Sequence, residues 1–216
     1  MIQLKKMVFN SFQVNTYIIY DETGECIIID PANYELVEDQ ALSGFLSEHS
    51  LVPVLNINTH CHIDHILGIN YLKKTFKIPL HAHENEEKLL RNAPVMGRVF
   101  GFNVEELPVI DHFISHGETI KFGNSELHAL HVPGHSAGSL AFYAPGGGFA
   151  ITGDALFAGS IGRTDLPGGD YDTLIESIRT NLFSLPPETK IWPGHGESST
   201  IADEIAHNPF FNDYTT

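Results

Sequence analysis

Apolar residues fall along this chain in short runs set off by polar turns. Thr16–Tyr20 and Cys26–Asp30 are β-branched or aromatic runs separated by Asp21–Gly24, a pattern that predicts a hairpin. Apolar residues at 36, 37, 41, 42, 45 and 46 predict a helix over Glu35–His49. Val52–Thr59 reads as a buried strand, Ile66–Phe76 as a helix, Pro79–Ala82 as a strand and His83–Arg91 as a helix. Residues 92–118 carry Pro94, Gly97, Gly101, Pro108 and Gly117, which predict an irregular segment; Met96, Val99, Phe100 and Phe102 make it apolar. Strands follow at Glu118–Phe122, Glu126–Val132, Ser139–Tyr143 and Phe149–Thr152. A helix over Tyr171–Phe183 with Asp170 as N-cap, a strand at Lys190–Trp192 and a short helix at Thr200–His207 complete the pattern. The strands cluster in an early and a late group. Two sheets packed face to face with helices outside would satisfy this α/β (α+β) pattern. No linker-like concentration of Pro or Gly divides the chain, so 1–216 reads as one domain.

Composition narrows the function. Of 216 residues, 42% are hydrophobic and 18% charged, enough to bury a sizeable core. Lys and Arg number 12 against 27 Asp and Glu, a formal charge of −15, which argues against nucleic acid or an anionic membrane as partner. No apolar run of about 18 residues predicts a membrane span, and no signal peptide is evident. Cys26 and Cys61 are far apart, and Cys61 lies inside a histidine cluster; the reading is a reducing, cytoplasmic protein without a disulfide. No obligate protein partner is indicated. The 13 histidines outnumber all lysines and arginines together, which points to a metal site.

The densest signal is Thr59-His60-Cys61-His62-Ile63-Asp64-His65, directly after an apolar strand. Alternate side chains of an extended segment share a side, so His60 and His62 can face one centre while Asp64 and His65 reach a second. Three more strand ends repeat the grammar: Pro133-Gly134-His135, Gly153-Asp154 and Pro193-Gly194-His195-Gly196. Ligand sites in α/β proteins gather outside the carboxyl ends of strands. Imidazole with carboxylate suits zinc first, with iron or manganese as alternatives, and no thiolate set suggests a closed structural zinc. Seven ligands exceed one tetrahedral ion and fit two divalent ions: His60, His62 and His135 on one, Asp64, His65 and His195 on the other, with Asp154 bridging. Such ions sit about 3.5–4 Å apart around a shared hydroxide. Cys61, between two ligands, is expected to face away. His81 and His83 mimic a ligand pair without a completing carboxylate and read as surface or supporting residues.

The order HxHxDH, His, Asp, His resembles the metallo-β-lactamase superfamily from Asp30 to His195. Within it, His135-Ser136-Ala137-Gly138-Ser139, Gly153-Asp154-Ala155-Leu156-Phe157 and Gly194-His195-Gly196 are most similar to glyoxalase II, hydroxyacylglutathione hydrolase. The resemblance implies a four-layer αββα sandwich with the metals at one edge. It implies hydrolysis of a small-molecule thioester or ester, of the S-lactoylglutathione type, by a metal-bridging hydroxide, with Asp64 and Asp154 catalytic. It also implies that Asp30, in Ile-Asp-Pro, supports the ligands from behind. Arg163 matches a glutathione-contacting lysine, whereas Asp165 stands where those enzymes carry a tyrosine; Arg163 and Asp165 are expected to pair. Arg98, in the apolar segment, is a second candidate substrate contact. Ile191 to Thr216 contains no Lys or Arg, so the chain resembles the short members without the basic C-terminal helical domain. Ile161-Gly162-Arg163-Thr164-Asp165 following Gly153-Asp154 also resembles the mononuclear-iron persulfide dioxygenases of the same superfamily, which are the alternative reading. The intact Gly194-His195-Gly196 favours two metals. A non-catalytic metal-binding protein is the third reading.

Overall fold

The computed structural model describes residues 1–104 and 106–214. The first half runs through β1 (Gln3–Phe9), β2 (Val14–Tyr20), β3 (Glu25–Ile29), α1 (Leu36–Glu48), β4 (Val52–Ile57), α2 (Ile69–Phe76), β5 (Leu80–Ala82), α3 (Glu87–Phe100) and β6 (His112–Phe113). Its strands form one sheet in the order β1-β2-β3-β4-β5-β6, antiparallel through β3 and parallel beyond it.

The second half runs through β7 (Thr119–Phe122), β8 (Ser125–His131), β9 (Leu140–Ala144), β10 (Phe149–Gly153), β11 (Leu156–Phe157), β12 (Ser160–Ile161), α4 (Tyr171–Ser177), β13 (Lys190–Pro193), β14 (Ser199–Thr200) and α5 (Ile201–His207). A second sheet has the order β14-β13-β10-β9-β8-β7, in which β10 and β13 are parallel.

The two sheets face each other across a core of Tyr17, Ile27, Ile57, Leu127, Phe142 and Ile151. Ile18, Ile28, Leu42, Leu46 and Leu72 fill the space between the first sheet and the helices over it. Val132, Ala141, Leu174, Ile178 and Ile191 do the same behind the second sheet. The layers are therefore helix, sheet, sheet, helix. This explains why β2 and β10 are apolar almost throughout: both of their faces are covered.

Besides the two-residue strands β6, β11, β12 and β14, which the sequence reading did not give, three elements depart from it. β1 escaped it because it is an edge strand whose polar Lys5 and Lys6, one on each face, interrupt the apolar pattern. Residues 92–100 are helical: α3 runs through Pro94 and Gly97, because Leu90, Ala93 and Gly97 form one buried stripe at helical spacing. Glycine is required at 97, where a Cβ would press on the Phe102 carbonyl at 2.9 Å. The predicted helix over 171–183 is α-helical only to Ser177 and continues as a π-turn over Ile178–Leu182; Asp170 caps its start by accepting from the Thr173 amide at 2.8 Å. Cys26 and Cys61 are both free and buried. Among the described residues, no helix is long and apolar enough to cross a membrane.

Candidate metal centre

Five strand ends build the site. Asp30 follows β3, His60 to His65 follow β4, His135 follows β8, Asp154 follows β10 and His195 follows β13. The turns lock onto one another: the Leu140 amide donates to the Thr59 carbonyl at 2.7 Å, Gly194 to Gly153 at 2.8 Å and Asn15 to Gly194 at 2.7 Å. Position 194 admits only glycine, since a Cβ there would overlap the Asp154 carboxylate and the His65 ring. Asp30 takes a left-handed backbone (φ 50°) that brings its carboxylate under the loop after β4.

Asp30 is fully buried and accepts from the Thr59 amide at 2.7 Å, the Thr59 hydroxyl at 2.6 Å and His65 Nδ1 at 3.1 Å. These bonds settle which ring nitrogens face inward. The Thr59 hydroxyl gives its one hydrogen to Asp30, so at 3.1 Å it accepts from His60 Nδ1. His135 Nδ1 donates to the Arg163 carbonyl at 2.9 Å, and His195 Nδ1 to the Phe12 carbonyl at 3.0 Å. The Nε2 atoms of His60, His65, His135 and His195 are thereby all turned toward the site.

Among the described residues, three trios of ligand-type atoms lie close together: His60 with His62 and His135, Asp64 with His65 and His195, and, behind them, Asp30 with His60 and His65, where Asp30 is already taken up by Thr59 and His65; the first two face the cavity. His60 Nε2 lies 3.3 Å from His135 Nε2, which lies 2.9 Å from His62 Nδ1. His195 Nε2 is 3.4 Å from Asp64 Oδ2. Asp154 stands between the first two trios. Its Oδ1 is 3.6 Å from His65 Nε2, and its Oδ2 is 3.5 Å from His195 Nε2 and 3.7 Å from His135 Nε2.

Divalent cations fit this arrangement on three observations. His60 and His135 point hydrogen-free Nε2 lone pairs at each other, a repulsive contact that a cation between them relieves. Asp154 Oδ1 is buried with no hydrogen-bond partner. The charge states also differ between the trios. Burial, reinforced by neighbouring imidazoles, pushes His60 well below the usual histidine value and His62 and His135 down to about 4 each. They are neutral, as ligands must be. In the second trio burial also opposes charge, but the carboxylates of Asp154, Asp64 and Asp30 outweigh it and lift His65 to about 10. His195 is raised against burial by Asp64 and Asp154, and Asp64 is held below the usual carboxylate range by His65 and His195. This trio demands positive charge, which a metal ion supplies in place of protons.

The site opens into a cavity of about 270 Å³ lined by His62, Asp64, His135, Asp154 and His195 and by the apolar Phe12, Ile63, Leu89, Met96 and Phe100. Cys61 is buried, lies outside the trios and also lines the cavity. Arg163 lines the cavity, but its guanidinium is held by Asp165 through two bonds of 2.7 and 2.8 Å. Arg98 lies on the exposed side of α3 and is not among the lining residues, a consequence of the helix continuing through residues 92–100. His81 and His83 turn to different partners: His81 sits 4.7 Å from the His112 ring, and His83 stacks on His131 at 4.3 Å.

Sequence reasoning missed Glu86. It is fully buried, and accepts from the Cys61 amide at 2.6 Å, the Ser136 hydroxyl at 2.7 Å and the Gly138 amide at 2.8 Å. One carboxylate thus ties the loop bearing His60 and His62 to the loop bearing His135. Burial pushes its acid up, opposed by these three donors. In sequence it sits among Glu84, Asn85 and Glu87, where nothing separates it from a solvated helix start.

Residues 10–195 match the model of the Metallo-beta-lactamase superfamily. Hydroxyacylglutathione hydrolase GloC of Haemophilus influenzae is 37% identical over 209 residues, covering 94% of both chains. The crystal structure of BLEG-1 B3 metallo-beta-lactamase superposes with a TM-score of 0.89 at 33% identity, covering 97% of this chain and 99% of that one. TTHA1623 in a di-iron-bound form superposes with a TM-score of 0.86 at 33% identity, covering 95% and 99%.

Proposed function

The chain belongs to the metallo-β-lactamase superfamily, and on that premise we propose that it is a cytoplasmic hydrolase that uses two divalent ions to cleave small-molecule thioesters of the S-lactoylglutathione type. One observation carries the reading: two trios of ligand atoms, with Asp154 within 3.5 to 3.7 Å of members of both. The GloC relative is named for hydroxyacylglutathione hydrolysis, which supports thioesters as the first substrates to try. Zinc suits the imidazole and carboxylate donors; iron and manganese suit them too, and TTHA1623 was obtained with two irons.

His60, His62 and His135 would hold one ion and Asp64, His65 and His195 the other, with Asp154 shared. When bound, the ions would supply an acidified water and a Lewis acid for the acyl oxygen. Asp64, beside His195 at the cavity wall, accepts a hydrogen from the attacking water and orients its lone pair toward the acyl carbon. Asp30, Phe12 and Arg163 hold the imidazoles still through their Nδ1 hydrogens, so the site needs little reorganisation during reaction. The water oxygen bonds to the acyl carbon and the C–S bond breaks with its electron pair on sulfur. One thioester and one water become a carboxylate, a thiol and a proton. A thiol has an ordinary pKa of about 8.5, so the thiolate leaves without a dedicated acid.

The test is elemental analysis of the purified protein together with turnover of S-lactoylglutathione and simpler thioesters. About two ions per chain with thioester turnover is the expected result. One iron per chain with oxygen uptake on glutathione persulfide would establish the dioxygenase, a reading that leaves His195, anchored by Phe12 and facing Asp64, without a role. Full loading with no turnover of any ester, thioester or lactone would leave a metal-binding protein.

A further inference from the structure

Apart from the ligand-type residues, Asn92 and Arg163, the cavity lining is largely apolar. Phe12, Ile63, Leu89, Met96, Phe100 and Leu166 line the cavity, and Phe12 and Phe100 meet edge to face with centroids 5.5 Å apart at its mouth. Phe12 and Phe100 are 40% and 42% exposed, so the pair offers apolar surface to a group entering the cavity. α3 supplies five of the lining side chains, the apolar Leu89, Ala93, Met96 and Phe100 at helical spacing and the polar Asn92. Among the described residues that line the cavity, Arg163 is the only lysine or arginine, and Asp165 already occupies the Nε–Nη2 edge of its guanidinium. A glutathione moiety carries two carboxylates. The whole chain carries a formal charge of −15, and the one cationic side chain of the lining, Arg163, is already paired with Asp165.

Resting on the thioester reading above, we propose that the cavity selects thioesters whose non-reacting part is an uncharged hydrocarbon chain, in preference to the glutathione conjugate. The chain would lie along α3 between Phe12 and Leu166, losing water from its own surface and from the wall. Asp165 enforces the preference by holding Arg163 out of use as a carboxylate receptor.

The experiment uses the metal-loaded enzyme and two series. One holds N-acetylcysteamine thioesters from acetyl to octanoyl, the other acetyl thioesters of alkanethiols of matching lengths; S-lactoylglutathione is the charged reference. In one series kcat/KM should climb about two- to fourfold per methylene until the cavity is filled. The best member should exceed S-lactoylglutathione by about tenfold or more. Met96→Asn should flatten that slope. Asp165→Ala should free Arg163 and lower KM for S-lactoylglutathione several-fold while leaving the slope of the apolar series in place, a pattern that misfolding would not produce. Flat behaviour in both series, or S-lactoylglutathione equal to the best apolar thioester, overturns this inference and leaves the hydrolase reading intact. No turnover of any thioester by fully loaded protein overturns the hydrolase reading itself and this one with it.

Discussion

His195 Nδ1 lies 3.0 Å from the carbonyl oxygen of Phe12, across 183 positions of sequence. The contact joins the β1–β2 turn to the loop after β13 and aims His195 Nε2 at Asp64 and Asp154. His195→Ala removes a ligand of one trio only. Metal content should fall from about two ions per chain to about one, with thioester turnover down about a hundredfold or more. Asp154→Ala touches both trios and should lose both ions. Elemental analysis after gel filtration checks the pair; equal losses in the two variants would contradict separate trios.

Asp30 never reaches the cavity, yet it holds Thr59 and His65 in place. Asp30→Asn keeps the volume but turns an amide NH₂ toward a donor. Affinity for metal should drop about 10- to 100-fold, measured by competition with a chelator. Unchanged affinity would show that the loop after β4 is rigid without it.

Glu86→Ala would leave the Cys61 amide, the Ser136 hydroxyl and the Gly138 amide without their acceptor in a buried place. Each orphaned donor costs about 1–3 kcal/mol, so a loss of about 3–5 kcal/mol is expected in urea unfolding of the metal-free protein. Glu86→Gln keeps acceptor capacity on one side and should lose less. A loss under about 1 kcal/mol for Glu86→Ala would mean that water replaces the carboxylate.

Asp21 clamps the two sheets far from the metal centre. Its carboxylate accepts from the Thr23 hydroxyl at 2.6 Å, the Asn124 amide at 2.7 Å and the Ser125 hydroxyl at 2.8 Å. Burial favours the neutral acid, but these bonds prevail and hold its pKa down to about 2. The unfolded value is about 3.9. The stabilisation is therefore complete above about pH 4 and is lost as pH falls through about 2. The gap in urea midpoint between wild type and Asp21→Asn should be wide at pH 5 and narrow toward pH 2.5; a constant gap would refute the assignment.

Removing both ions with a chelator should lower the thermal midpoint and restore it on re-addition, because the ions bind the folded trios more tightly than the unfolded chain. An unchanged midpoint with full activity would contradict a built metal site.

The local pattern carried the fold class and the ligand types. Apolar runs such as β2 and β10 fit strands covered on both faces, and the His-rich loop after β4 with the glycine turns after β8, β10 and β13 announced where side chains would gather. His60 to His65 were legible because ligand spacing within one loop is a local property. Three things were decided by tertiary packing. α3 overrode Pro94 and Gly97 because its buried stripe had a partner, which moved Arg98 away from the cavity. Glu86 acquired its role from donors 25 and 50 to 52 residues away. Which nitrogen His65, His135 and His195 turn inward depends on Asp30, Arg163 and Phe12, partners 35, 28 and 183 positions away. Periodicity reports how a residue meets its own element. A hydrogen bond between elements depends on where two independent backbones come to rest, and no short stretch of chain encodes that.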